Sequence, residues 1–254
     1  MNILIVIVLL SAFSFWEIKL LFSFAFYSRE RTVRNILRFE DKAIRAIFYM
    51  FRTYRGFRPR FENFAAGKIP ERYLVVANHQ SLLDIPILMD LLPGRKKARF
   101  VAKRELAYGI PLISLLLRTA GHCLVKRKGD ALHAMRSVTS MARRCRRDGT
   151  IPTIFPEGTR SRTGELGTFH SAGYRKILEV EPLPLLVVAI EGGWKVITLR
   201  DFFRNFGKSP YTIRFIDVLP APKGKREALQ ALEASKVMIQ EALVEIRGRD
   251  QSVE

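Results

Sequence analysis

The sequence predicts an α/β protein: a mixed, mostly parallel sheet flanked by helices, with a helical membrane-docking element at its amino end. Three observations lead there. From residue 70 onward, short apolar runs alternate with helix-period patterns, as expected of strands joined by covering helices. The polar segments fall where those runs end, at the positions where such sheets carry their sites. The first 55 residues differ, with an uncharged apolar run followed by a basic amphipathic stretch. The 254 residues, 48% apolar and 26% charged, suffice for one sizeable core. We expect an apolar membrane segment over 1–28, a basic amphipathic helix and linker over 29–60, and one folded domain over 61–250.

Residues 1–16 carry no ionisable side chain, and the apolar run resumes over 20–27 after Glu17 and Lys19. The uncharged part falls short of the roughly 20 residues that cross hydrocarbon; 1–27 is long enough only if Glu17 and Lys19 are tolerated near an interface. Spanning the bilayer and docking in one leaflet both stay open. A cleaved signal peptide is not expected, because a charged leading region and a small-residue cleavage site are missing. Over 29–55, Val33, Ile36, Leu37, Ile44, Ile47, Phe48 and Phe51 recur at three- and four-residue steps, with Arg34, Arg38, Lys42, Arg45 and Arg52 among them. Periodicity alone suits a surface helix packed on its own domain. Position just after an apolar anchor favours apposition to an anionic membrane on its cytoplasmic side. Strands are expected over 73–77, 99–102, 123–126, 150–155, 185–190 and 211–217, and helices over 86–92, 112–119, 131–147, 172–179 and 226–246.

The net charge of +19, from 43 Lys and Arg against 24 Asp and Glu, calls for anionic partners: phospholipid surfaces, phosphorylated substrates or nucleic acid. Nucleic acid is set aside, since no aromatic RNA-binding strand, zinc spacing or recognition-helix signal is present. Cys123 and Cys145 lack C-x-x-C spacing, which fits reduced thiols on the cytosolic side. The four His lack partners at zinc-ligand spacing, so no metal is expected.

Of those four, only His79 meets an Asp five places on, at Asp84, a match expected about 0.13 times by chance. In an unbroken helix residues five apart point about 140° away from each other, so the pair can touch only across a bend. The run 73–77 ends a strand just before Asn78 and His79. Pro86 disfavours helical geometry at Ile85, which predicts a loop over 79–84 and a helix starting near Pro86. In that loop Asp84 could hold one ring nitrogen of His79 and leave the other as a general base for an alcohol. Read alone, the spacing favours an Asp that caps a helix beside an ordinary loop histidine. Ser81 as a nucleophile lacks a second base and suits a turn better.

The buried strand over 150–155 is followed by Pro156-Glu157-Gly158-Thr159-Arg160-Ser161. A glycine there lets backbone amides approach a ligand, and the planar fork of Arg160 suits a phosphate monoester. Glu157 fits either a substrate hydroxyl or the bracing of Arg160. Lys103-Arg104 and Lys126-Arg127-Lys128 also follow strands, where ligands of parallel sheets gather, although each run by itself reads as a solvated loop.

Together these segments resemble the 1-acylglycerol-3-phosphate acyltransferase family, the PlsC-like glycerolipid acyltransferases. Asn78-His79-Gln80-Ser81-Leu82-Leu83-Asp84 looks like its first block, Gly121-His122-Cys123-Leu124-Val125-Lys126-Arg127 its second, Phe155-Pro156-Glu157-Gly158-Thr159-Arg160-Ser161 its third, and residues 184–190 a weaker fourth. Lys103-Arg104-Glu105-Leu106 is similar to a short basic block between the first two, and the match covers residues 70 to about 220. The resemblance implies transfer of a fatty acyl group from acyl-CoA or acyl carrier protein to the sn-2 hydroxyl of lysophosphatidate, giving phosphatidate in phospholipid biosynthesis. Another lysophospholipid or a lyso-ornithine lipid is the alternative acceptor, and a non-catalytic membrane-binding protein is the reading from a different class. His79 would be the base and Asp84 its orienting partner. Lys103, Arg127 and Arg160 would hold the glycerophosphate, and Glu157, Gly158 and Thr159 would shape its pocket. The resemblance implies no cofactor or metal, and a membrane location with the site on the cytoplasmic side, the inner membrane in a bacterium. Two departures from the pattern are His122 and Cys123 in the second block and Val187, where a proline is usual, in the fourth.

Overall fold

The structure, a computed structural model, describes residues 2–108, 113–125, 131–196, 201, 205, 207 and 210–251. Helices α1 (Asn2–Phe26) and α2 (Arg29–Arg55) precede strand β1 (Arg60–Asn63). There follow β2 (Leu74–Ala77), α3 (Asp84–Leu91), β3 (Ala98–Lys103), α4 (Ile113–Thr119), β4 (Cys123–Val125), α5 (Ala131–Asp148), β5 (Ile151–Ile154), α6 (Ser171–Val180), β6 (Leu185–Glu191), β7 (Thr212–Leu219) and α7 (Lys225–Gln251). The sheet order is β1-β7-β6-β2-β5-β3-β4. Each neighbouring pair is parallel except β6 and β7, so the sheet is mixed and mostly parallel.

The central strands are buried on both faces, and their sequences are accordingly continuous apolar runs. Alternation divides them. Val75, Ala77, Leu186, Val188 and Ile190 face a core closed by α2 and α3 through Phe48, Phe51, Ile87 and Leu88. Leu74, Val76 and Leu185 face α5 and α6, where Val138, Met141, Tyr174 and Ile177 cover them. Val187 and Ala189 meet Ile239, Leu243 and Ile246 of α7. At roughly 1.5–3 kcal/mol per buried aliphatic side chain, this filling makes the strand ends a rigid platform. β2, β3, β4, β5 and β6 run the same way and share one carboxyl edge. β7 runs against β6, so its amino end lies at that edge too.

Most elements stand within a few residues of their sequence-based bounds, with three corrections. The helix expected near Pro86 starts at Asp84, so the loop expected over 79–84 stops one residue short. Pro86 falls in the first turn, where amides have no intrahelical acceptor and a missing N–H costs little. Strand β1 was not expected: Arg60, Phe61, Glu62 and Asn63 show no apolar alternation, and three of the four are exposed. It exists as an edge strand because it pairs in register with β7 and because Glu62 takes Arg214 at 2.7 Å and Arg249 at 2.6 Å. Helix α7 also outruns its expected end at Ile246, carried on by Arg247, which reaches Gly164 O at 2.5 Å and Glu191 at 3.0 Å.

The amino-terminal run and the basic stretch fold as an antiparallel helical hairpin. Ser28 caps α2, its hydroxyl accepting the Arg31 N–H, and Thr32 donates to Ser23 O at 2.8 Å. Gly56 closes α2 in the left-handed conformation, φ 62°, which few other residues adopt without strain. Leu20, Ile36, Ala43 and Leu115 bind the hairpin to α4, while Phe15, Ile18, Phe22 and Phe26 stay more than half exposed. Among the described residues no helix is long and apolar enough to cross a membrane. A buried charge cluster fixes α2 to the sheet. Glu40 lies 3.5 Å from Arg99 and 3.6 Å from His122. Burial alone would raise the Glu40 carboxyl, but the His122 hydrogen bond and the Arg99 and Lys97 charges outweigh it and hold it below the usual range. Burial pushes His122 down.

Candidate active site

The carboxyl edge of the sheet gathers the polar motifs. At the end of β2 the Asn78 side chain donates to Ile190 O at 2.8 Å and accepts the Ile190 N–H at 2.7 Å, locking β2 to β6 where the chain leaves the sheet. His79 is the next residue. Its ring stacks on Phe155, centroids 4.3 Å apart and planes 19° apart, so Phe155 at the end of β5 fixes the imidazole plane.

Asp84, the first residue of α3, turns back into the bend it closes. Its Oδ2 lies 2.7 Å from His79 Nδ1 and accepts the amides of Gln80 at 2.7 Å and Ser81 at 2.9 Å. Its Oδ1 accepts the hydroxyl of Tyr211. The amides it accepts belong to the bend before the helix, and the cap position, Leu83, has no side-chain cap hydrogen bond, so the carboxylate pairs with His79 and ties down the bend instead of capping α3. Because Asp84 is an acceptor and fully buried, it places the imidazole proton on Nδ1 and leaves Nε2 with a free lone pair. The His79 side chain is 13% exposed.

Glu157 sits behind the histidine. One oxygen accepts the His79 N–H at 2.8 Å and the other the Gly167 N–H at 2.9 Å. A Cβ on Gly167 would stand 2.9 Å from Glu157 Oε2, so a larger residue there would displace the carboxylate from this amide. Burial raises the Glu157 carboxyl, and the two amides pull the other way without restoring it. Its hydrogen-bond partners among the described residues are these amides; neither bracing Arg160 nor reaching outward is its observed part. Ser161 N–H donates to His79 O at 2.8 Å, so the β5 loop clasps the His79 backbone from both sides. Gly158 takes φ 66°, which turns that loop, and Gly158 and Thr159 are exposed beside half-buried Arg160.

Lys103 ends β3 on the same edge, exposed and 3.9 Å from Glu105. No hydrogen bond joins Lys103 or Arg160 to His79 among the described residues; the topology brings them to one edge without making them partners. Arg127 lies outside the described residues, past the end of β4. Sequence reasoning missed Tyr211 and the Phe155 stack. Phe155 was visible as the last residue of an apolar strand, whereas nothing local marks Tyr211.

Comparisons with known proteins bear on the family and the fold. A family model described as Acyltransferase matches residues 60–191, more than half of the chain. The 1-acyl-sn-glycerol-3-phosphate acyltransferase of Cocos nucifera is 29% identical over 161 residues, 62% of this chain and 49% of that protein. The Homo sapiens 1-acyl-sn-glycerol-3-phosphate acyltransferase alpha is 27% identical over 198 residues, 76% of this chain and 64% of that one. The matches thus span about half to two thirds of these relatives' length. Among solved structures, the 1-acyl-sn-glycerophosphate (LPA) acyltransferase PlsC from Thermotoga maritima shares the fold, with TM-score 0.65, 21% identity, and 92% of this chain and 90% of that chain covered.

Proposed function

This chain belongs to the acyltransferase family, and from that membership and the geometry of its His–Asp pair we propose that it transfers a fatty acyl group from acyl-CoA or acyl carrier protein to the sn-2 hydroxyl of lysophosphatidate, giving phosphatidate at a membrane surface. The observation that carries the reading is the 2.7 Å contact between His79 Nδ1 and a fully buried Asp84, which engages Nδ1 and makes Nε2 the nitrogen assigned as the base. The names of the relatives support the acceptor.

The chemistry balances without a further cofactor. Nε2 takes the acceptor hydroxyl proton as the oxygen attacks the thioester carbonyl. The imidazolium forms against Asp84, the tetrahedral intermediate collapses with loss of the C–S bond, and the departing thiolate takes the proton from Nε2. The thiol and the diacyl ester are released and His79 is neutral again. Lys103 and Arg160 supply cations for the acceptor phosphate at the edge where His79 stands, and Arg127 is proposed from the sequence resemblance to join them. The α1–α2 hairpin, with its exposed Phe15, Phe22 and Phe26 and basic α2, holds the site against the cytoplasmic face of the membrane.

Purified protein offered labelled acyl-CoA or acyl carrier protein with lysophosphatidate, other lysophospholipids and a lyso-ornithine lipid tests this directly. Lysophosphatidate should be acylated fastest; preference for an acceptor without a phosphate monoester would overturn the assignment. Arg160→Ala should raise KM for lysophosphatidate by ~10- to 100-fold, the worth of a charge-assisted hydrogen bond, with little change in KM for the donor. Equal effects on both would remove its role. Glu157→Gln turns an amide NH2 toward one of two backbone N–H donors, and should lower kcat about 10-fold with KM within about twofold. A rise in acceptor KM instead would mean that Glu157 binds substrate.

A further inference from the structure

The two oxygens of Asp84 are used differently. Oδ2 is shared among His79 Nδ1 and the amides of Gln80 and Ser81, while Oδ1 faces Tyr211. Tyr211 immediately precedes β7 and reaches the site only because that strand runs antiparallel to β6. Its ring packs edge-on against Phe57, centroids 5.6 Å apart, and a Cβ on Gly193 would come within 3.1 Å of its hydroxyl oxygen. The phenol is therefore enclosed and aimed. Burial alone does not dictate such pairing, for the buried hydroxyls of Tyr73 and Tyr174 have no hydrogen-bond partner among the described residues. Burial, and then the Asp84 charge, push the Tyr211 phenol far above its ordinary range, so it stays a donor at any working pH.

We propose that Tyr211 is a positioning residue for acyl transfer: its hydroxyl holds Oδ1, sets the carboxylate plane so that Oδ2 meets His79 Nδ1, and shares the charge that steadies the imidazolium. This rests on His79 being the general base. The sign of the effect follows from the hydrogen bond. Without the hydroxyl, the Asp84 charge is less shared and holds the imidazolium proton more tightly. The acid limb of activity then moves up, and the unpinned carboxylate orients the ring less well. The other charged groups around the pair are Glu157, at the His79 amide, and Glu191, which acts on Tyr211 through space and is held by Gln80, Trp194 and Arg247. Loss of the phenol hydroxyl leaves their contacts unchanged.

The test compares kcat, KM and the pH dependence of kcat/KM for the full chain, Tyr211→Phe, and protein carrying 3-fluorotyrosine at 211, a stronger donor of nearly the same shape. For Tyr211→Phe we expect kcat to fall about 10-fold, KM to stay within about twofold, and the acid limb to move up by roughly half a pH unit or more. The fluorinated phenol should move that limb down. If Tyr211→Phe does not fold, the fluorinated protein decides alone by the direction of its shift. Unchanged profiles, shifts in the same direction for both, or a KM effect without a kcat effect would overturn the role. His79→Ala separates the two readings: if it keeps full activity the general-base assignment fails, and if it is inactive while Tyr211→Phe matches wild type, only the tyrosine assignment fails.

Discussion

His79→Ala should lower kcat by about 10³-fold, the usual worth of a well-placed general base, with KM for acceptor and donor nearly unchanged. The fold should survive. The side chain is mostly but not wholly enclosed, and its removal leaves Asp84 still accepting two amides and the Tyr211 hydroxyl. The backbone of His79 keeps its clasp, because Glu157 and Ser161 bind its N–H and C=O rather than its ring. Steady-state kinetics together with a thermal melt separate the outcomes. A large fall in kcat at constant melting temperature fits a lost base, whereas parallel losses of activity and stability would mean that the ring serves the fold.

Asp84 should give an effect as large on activity and, for one of its two substitutions, a larger one on stability. Asparagine is nearly isosteric. With its carbonyl at the Oδ2 position it still accepts the amides of Gln80 and Ser81, and its NH2 faces a Tyr211 hydroxyl able to turn and accept. The fold should therefore hold, yet the negative charge that steadies the imidazolium is gone, and kcat should fall by ~10²- to 10⁴-fold. Asp84→Ala is different. It strands four donors in a site with no exposure, and at ~1–3 kcal/mol for each buried unpaired group it should lower the melting temperature sharply or prevent folding. Chemical denaturation of the two variants beside wild type checks this. If Asp84→Asn were as unstable as Asp84→Ala, the charge would serve the fold before the chemistry.

Periodicity and punctuation made most of the sheet and helices legible. Residues 74–77, 151–154 and 185–190 are apolar apart from Thr153 because both faces of those strands are covered, and the basic stretch over 29–55 matches α2 residue for residue. What could not be read depends on partners distant in the chain. β1 has no apolar signature and is a strand only by pairing with β7, about 150 residues on. Tyr211 meets Asp84 across 127 residues, and only the reversed direction of β7 brings them together. Glu157 was legible as a site residue but not as the acceptor for His79 and Gly167, since backbone partners leave no mark in side-chain identity. The start of α3 was misplaced for a local reason, because a proline in the first turn follows different rules from one inside a helix.

The most direct measurement is the transfer of labelled acyl groups to lysophosphatidate by His79→Ala, with and without added imidazole. Asp84 and Phe155 form a preset frame around the missing ring, and Glu157 holds the backbone that carried it. The variant is expected to be nearly inactive alone and to regain activity in proportion to free imidazole base, so that rescue rises with pH. Full transfer by the variant without imidazole would contradict the assignment of His79 as the base.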